Sequence, residues 1–170
     1  MQIHFRHRNL WGELQKREME IIYQSDTMMI TRYTINNAPE PLMVNSEPVL
    51  EDGYTAVSFI EYGKWYITDK IFDLQGVPTG FLTKLVTPVE ENLTALTTMD
   101  LFIKIWITLQ NDYQIFNTKM FEKVAADGLL SETVEKKSVE TMDYLISAVK
   151  ERIFPPDMVK DFRIPERAQE

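Results

Sequence analysis

Apolar and polar residues alternate through the first two thirds of the chain in short runs dense in β-branched and aromatic residues, the pattern of half-buried strands. The runs are Gln2 to Arg8, Glu18 to Gln24, Met28 to Ile35, Tyr54 to Ile60, Lys64 to Phe72, Thr79 to Val86, Thr94 to Thr108 and Tyr113 to Phe116. Between them lie Ser25-Asp26, Asn36 to Pro41, Asp52-Gly53, Tyr62-Gly63, Gln75-Gly76 and Asn111-Asp112, whose residues suit turns. Many short strands at this spacing predict a sandwich or a barrel.

Helical periodicity enters only afterwards. A short helix is expected from an N-cap at Thr118 to Gly128, and a longer one from an N-cap at Ser131 towards Ile153. In the longer one Val134, Ser138 or Val139, Met142, Leu145 with Ile146, Val149 and Ile153 recur at helical spacing and form one apolar stripe for packing on the sheet. Pro155-Pro156 ends it, and Asp157 to Glu170 reads as an irregular or wrapping segment. The expected fold is α+β: a mostly antiparallel β-barrel-like domain with C-terminal helices packed against it, formed by residues 1–170 as a single domain.

Composition narrows the chemistry. With 44% hydrophobic and 26% charged residues the chain is of ordinary globular type, and no apolar run approaches the roughly 20 residues that span a bilayer. A soluble protein without a membrane partner is expected. MQIHFRHRN has no apolar signal core, so the cytoplasm is the default compartment. Cys is absent, which removes thiolate metal sites and a Cys nucleophile. The 26 acidic against 18 basic residues give a net charge of -8, so RNA is a possible partner but not the favoured one.

Strand parity picks out one segment. Met99, Leu101, Ile103, Ile105 and Ile107 share a wholly apolar face, while Asp100, Phe102, Lys104, Trp106 and Thr108 share the other. An acid, a base and two aromatics on one face suit a cavity wall better than plain solvent. His4, Arg6 and Arg8 form a small basic row able to meet phosphate, though a charged edge strand that resists aggregation is the preferred reading. His4 and His7 fall on opposite strand faces, which argues against a His-pair metal site. Trp65, Tyr66, Trp106 and Tyr113 are candidates for base stacking, with core packing the preferred role. P-loop, GxGxxG, GxSxG and HExxH motifs are absent.

Two segments carry a resemblance. GKWYITDKIFDLQGVPTGFLTKLVTP (63–88) and MDLFIKIWITLQNDYQIFNTKMFEKVAADGLLS (99–131), followed by a long helix and FPPDMVKDF, resemble in order and spacing the FomD-like family, also known as domain of unknown function 402. The likeness is clearest over residues 53–162. It implies a nucleoside tri- or diphosphatase-like barrel holding divalent metal through an Asp or Asn on one strand, an Asp-x-Asp-x-Asp motif on the next, and an Asp before the short helix. Alternation at i, i+2 and i+4 lets such carboxylates converge on a hard cation. Those positions correspond here to Lys84, then Asp100, Phe102 and Lys104, then Asn117.

Most of the implied ligands are therefore replaced. Asp100 and Asn117 are left to hold Mg²⁺ or Mn²⁺ weakly, with help from a bound ligand's oxygens, and no cofactor is expected otherwise. Lys84 and Lys104 offer ammonium charge in place of metal and are expected to form an internal ion-pair cluster with Asp100. The five positions are expected to converge on a barrel wall beneath the C-terminal helices. The leading reading is a domain that binds a nucleotide or other phosphorylated small molecule, with weak or absent metal-dependent hydrolase activity. The alternatives are an active Mg- or Mn-dependent nucleoside tri-/diphosphatase or related phosphohydrolase, and an RNA-associated or protein-interaction module.

Overall fold

The computed structural model describes residues 1–38 and 40–164. Its strands are β1 (Gln2–Arg8), β2 (Leu14–Gln24), β3 (Met28–Thr34), β4 (Leu42–Val44), β5 (Glu47–Leu50), β6 (Thr55–Glu61), β7 (Tyr66–Phe72), β8 (Pro78–Val86), β9 (Glu90–Asn92), β10 (Ala95–Ile107) and β11 (Tyr113–Phe116). Helices α1 (Thr118–Ala126), α2 (Glu132–Lys150) and α3 (Asp157–Lys160) follow. None of these helices is long and apolar enough to cross a membrane.

The main sheet runs β1-β2-β3-β6-β7-β8-β10 with antiparallel neighbours, and β1 then pairs β10 in parallel, which closes seven strands into a mixed, mostly antiparallel barrel. The expected α+β barrel with C-terminal helices is what forms. β1 was expected to be an edge strand; instead it has a hydrogen-bonded neighbour on both sides, His4 facing Glu18 on β2 and Ala95 on β10. Its basic residues therefore lie on a barrel wall. The parallel seam joins segments about ninety residues apart, and no local turn signal announces such a pairing.

Closure gives the strands two different faces. Ile3, Phe5, Met19, Met29, Ile67 and Trp106 pack inside the barrel, whereas Leu101, Ile103, Ile105 and Ile107 face outwards against Leu145, Val149 and Phe154. Strands in the wall beneath the helices are buried on both sides, and all seven residues of β7 are buried. Burial on both sides leaves this strand no solvent-facing row, so its polar residues Thr68, Asp69 and Lys70 all need partners within the protein. Inside the barrel Trp106 packs against Gly80, where any Cβ would stand 2.3 Å from the indole, so only glycine allows this packing.

Three segments differ from expectation. The β4–β5 hairpin turns at Asn45 and Ser46, both at positive φ, and Leu42, Val44, Val49 and Leu50 pack on the barrel-interior core. Its strands are too short to show a period and sit among prolines. α2 begins as expected, with Ser131 accepting from the Val134 amide, but stops at Lys150. Ile153 consequently leaves the apolar stripe at 62% exposure, and Phe154 takes the core position at 4%. The wrapping tail is short and anchored: Phe162 packs edge-to-face on Phe59 at 5.4 Å, and buried Lys70 donates to the carbonyls of Lys160 and Phe162. Residues 165–170 of that tail lie outside the described residues.

Candidate functional site

The barrel interior is polar around β10, β8 and β7. On β10, Asp100 faces Val86 and Lys104 faces Lys84, so four steps on β10 match two on β8. The excess is an even number of residues, so the bulge leaves Asp100, Lys104 and Trp106 on one face. Phe102 sits within the excursion at φ 68°, a conformation costly for a bulky side chain. Its backbone is braced on both sides: its amide donates to Asp100 Oδ1 at 2.8 Å, and Asn117 Nδ2 donates to its carbonyl at 3.1 Å. Asn117, itself at φ 65°, is the residue from which α1 starts, one position before the expected cap at Thr118.

Lys84 and Lys104 are direct cross-strand partners, a placement that like charges disfavour. The counter-charge comes from Asp69 on β7, whose Oδ2 accepts from Lys84 Nζ at 2.7 Å and from the Tyr33 hydroxyl at 2.8 Å. Its Oδ1 accepts from Ser58 Oγ at 2.6 Å. Asp69 has 1% side-chain exposure and Lys84 19%. Burial pushes the Asp69 carboxyl up, but the ammonium of Lys84 and the three hydrogen bonds outweigh it and hold Asp69 below the usual carboxylate range. Burial likewise pushes Lys84 down, and the Asp69 charge reverses this, leaving Lys84 above its ordinary value.

Two further basic side chains lie near this pair. The Arg17 guanidinium lies 4.0 Å from the centroid of the Tyr33 ring, and His7 shares a 2.8 Å hydrogen bond with Gln15. Lys104 is pushed down by burial, an effect that Asp100 opposes and the Lys84 charge reinforces. His7 is pushed down by burial, with the Lys84 charge adding to that against its bond to Gln15. Both are thus groups whose protonated form lacks a full counter-charge, and both would gain from an anion.

The sequence-predicted residues are accordingly split. Asp100, Phe102 and Asn117 form the braced bulge, while Lys84 and Lys104 lie across from each other on the inner wall. Lys84 is paired with Asp69 rather than Asp100, which corrects the expected ion-pair cluster. The helices pack on the outward face of the same strands and these residues lie on the inner face, so the sheet stands between the two. Asp69, Tyr33, Ser58, Arg17 and His7 were missed. The signal for Asp69 was present, because Ile67, Asp69 and Ile71 share one face of a strand otherwise apolar on that side, and an acid there needs a buried partner. Of the candidate stacking aromatics, Trp65, Tyr66 and Trp106 are core or packed against it, and Tyr113 is half exposed.

As a metal centre this donor set fits poorly. Both oxygens of Asp69 are committed to Lys84, Tyr33 and Ser58, and one oxygen of Asp100 is engaged by the Phe102 amide. Two ammonium groups stand where further carboxylates would be needed. Among the described residues no three of His, Asp and Glu are grouped to hold an ion. Two surface depressions of about 350 and 360 Å³ are lined mainly by other residues, one by Glu18, Glu20, Arg32 and Thr55 with Tyr33 and one by Asn111, Asp112 and Lys150. Lys84, Asp100 and Lys104 line neither. An open groove shows where a protein is concave, whereas the charges that would draw an anion lie inside the barrel, so the depressions carry no functional reading.

No family model matches the sequence, and no curated protein does either. Solved structures do match in fold. The phosphatase SC4828, crystallised with the non-hydrolyzable nucleotide GPCP, superposes with a TM-score of 0.77 at 13% identity, over 96% of this chain and 89% of its own. FomD in complex with CDP gives 0.76 at 10% identity, over 98% and 93%. A DUF402 protein of unknown function from Rhodococcus sp. RHA1 gives 0.57 at 8% identity, over 79% and 76%. The chain therefore has the fold of these proteins.

Proposed function

We propose that this chain binds a nucleotide or another phosphorylated small molecule inside the barrel, around Lys84, Lys104 and Arg17 near the Asp100–Asn117 bulge, with weak or absent metal-dependent hydrolysis. The observation that carries the reading is the charge inventory of that wall. Arg17, Lys84 and Lys104 carry three positive charges against the two carboxylates Asp69 and Asp100, within a partly buried setting where Lys104 feels the other four. Lys104 in particular has no salt-bridge partner among the described residues within 4.0 Å. A phosphate completes this arrangement, since an oxyanion supplies the missing counter-charge to several donors at once. A lysine draws phosphate as a point charge but does not activate water as a metal does, which favours binding over cleavage. Two proteins with this fold are described with bound nucleotides, and one of them is a phosphatase, which supports the ligand class by fold analogy.

Titration calorimetry with inorganic pyrophosphate and with GDP or CDP, in the presence of a chelator, tests the reading. Binding that persists without metal and is weakened about ten-fold or more in Lys104→Met is expected. Failure of all three ligands to bind, or tight Mg²⁺ or Mn²⁺ binding by the free protein that is lost in Asp100→Ala, overturns it. The second outcome, together with metal-dependent phosphate release, would establish a hydrolase instead.

A further inference from the structure

We infer that Trp11 and Phe102 form a stacking platform for a planar aromatic group, so that the ligand of the barrel site is a nucleotide held by its base as well as by its phosphates. The inference rests on the phosphate-binding reading above and extends it to a part of the chain that reading does not use.

Trp11 sits at the tip of the β1–β2 hairpin, over the bulge of β10, with its ring centroid 4.9 Å from that of Phe102 and the planes at 53°. Trp11 keeps 52% of its surface exposed although its ring meets Phe102, so part of the indole is open to a ligand. The tip is not a loose loop. Asn9 Oδ1 accepts from the amides of Trp11 at 3.1 Å and Glu13 at 3.0 Å, and Asn9 Nδ2 donates to Glu13 Oε2 at 2.7 Å. Gly12, at φ 86°, completes the turn. The indole is therefore held in place before any ligand arrives, which lowers the entropic cost of stacking on it.

Phe102 supplies the second argument. A phenylalanine in the left-handed region costs about as much as a weak hydrogen bond gains, and glycine or asparagine would remove the strain. The chain instead holds this backbone with Asp100 on one side and Asn117 on the other. Backbone strain braced from two directions is found where a side chain must be presented in a particular place. What it presents is a ring beside Trp11. Lys104 stands two residues beyond Phe102 on β10 and directly opposite Lys84 on β8, so the ring pair and the ammonium groups share one stretch of the barrel. A nucleotide joins just these two chemistries, a π-face and a phosphate chain, through a ribose. Stacking tolerates any base, because every base has a π-face, so broad rather than base-specific recognition follows.

Calorimetry with inorganic pyrophosphate, ribose 5-phosphate and GDP, on the wild type and on Trp11→Ala and Trp11→Tyr, tests this; circular dichroism confirms that each variant is folded. GDP is expected to bind the wild type about 10- to 100-fold more tightly than either ligand lacking a base, the range typical of base–aromatic stacking. That advantage should vanish in Trp11→Ala, return largely in Trp11→Tyr, and leave pyrophosphate affinity unchanged throughout. Equal affinity of GDP and pyrophosphate for the wild type, or a GDP advantage that survives in Trp11→Ala, overturns the platform while leaving the phosphate site standing. Absence of binding by all three ligands removes the phosphate site itself, and the platform with it.

Discussion

Two lysines on adjacent strands, Lys70 on β7 and Lys84 on β8, are buried on opposite sides of the same wall, and their partners differ in kind. Lys70 faces outwards into the core under the helices, at 1% exposure, and spends its ammonium on the main-chain carbonyls of Lys160 and Phe162. Phe72 and Phe81 flank it at 5.6 and 5.7 Å. Burial pushes its pKa down, because neutral carbonyls replace only part of the lost water. Lys84 faces inwards and meets a carboxylate, which pushes its pKa up. The first lysine pins a segment of chain and serves the fold. The second neutralises Asp69 and leaves Lys104 and Arg17 with unspent charge, and it is this surplus, not burial of a charge as such, that marks the inner face as the candidate site.

Removing Asp69 should have the largest effect of any change that probes this contrast. Asp69→Ala strands Lys84 beside Lys104 and is expected to cost about 3–5 kcal/mol in urea denaturation, with Lys84→Met in the same chain recovering much of the loss. The pH dependence follows from both shifts. Asp69 is held below its unfolded value of about 3.9, so its contribution is present above that pH and is lost as acid carries the solution through the folded value. Lys84 is held above its unfolded value of about 10.4, so its contribution is present below that pH and is lost as alkali carries the solution through its folded value. The gap between wild type and Asp69→Ala should be flat across the interval and shrink outside it. A gap under about 1 kcal/mol at pH 7 would show that Lys84 simply turns to water. Lys70→Met should cost less, about 1–3 kcal/mol, because the side-chain volume stays while two carbonyls lose their donor. Hydrogen exchange is expected to rise in residues 161–164, with pyrophosphate affinity unchanged; an affinity loss would erase the distinction between the two lysines.

The contrast also explains what the sequence disclosed. The apolar face of β10 from Leu101 to Ile107 was legible because strand parity is a local property, and the bulge at Phe102 adds an even number of residues and so leaves parity intact. The start of α2 at Ser131 was legible from its cap. The β1–β10 seam was not, since parallel pairing of distant segments leaves no local pattern. What Asp69 meets was hidden for a related reason. Its partners Tyr33, Ser58 and Lys84 come from three other strands, and only barrel closure brings them to one point. Asp100 on β10 matches the motif of the resemblance, whereas the acid that Lys84 meets lies on β7, outside that motif.

The smallest expected effect is the most direct test of the surplus charge. In the free protein Lys104 and His7 both lie below their ordinary pKa values, burial being the leading cause for each. A group shifted this way is more often neutral than in water, and an anion placed beside it favours the charged form and raises its pKa. Binding pyrophosphate should therefore take up protons, and affinity should rise as pH falls through the window between the free and bound values and level off on either side. A full proton would give ten-fold per pH unit, and partial uptake gives less. Pyrophosphate titrates as well, so the comparison with Lys104→Met isolates the protein's share. Calorimetry in buffers of different ionisation enthalpy counts the protons directly. Wild type is expected to take up more than the variant in the alkaline range where a lysine titrates, with the His7 contribution lying at lower pH. Identical uptake by the two proteins throughout that alkaline range would mean that Lys104 does not meet the phosphate, and the inner wall would then be, like the outer one, a place where charge serves only the fold.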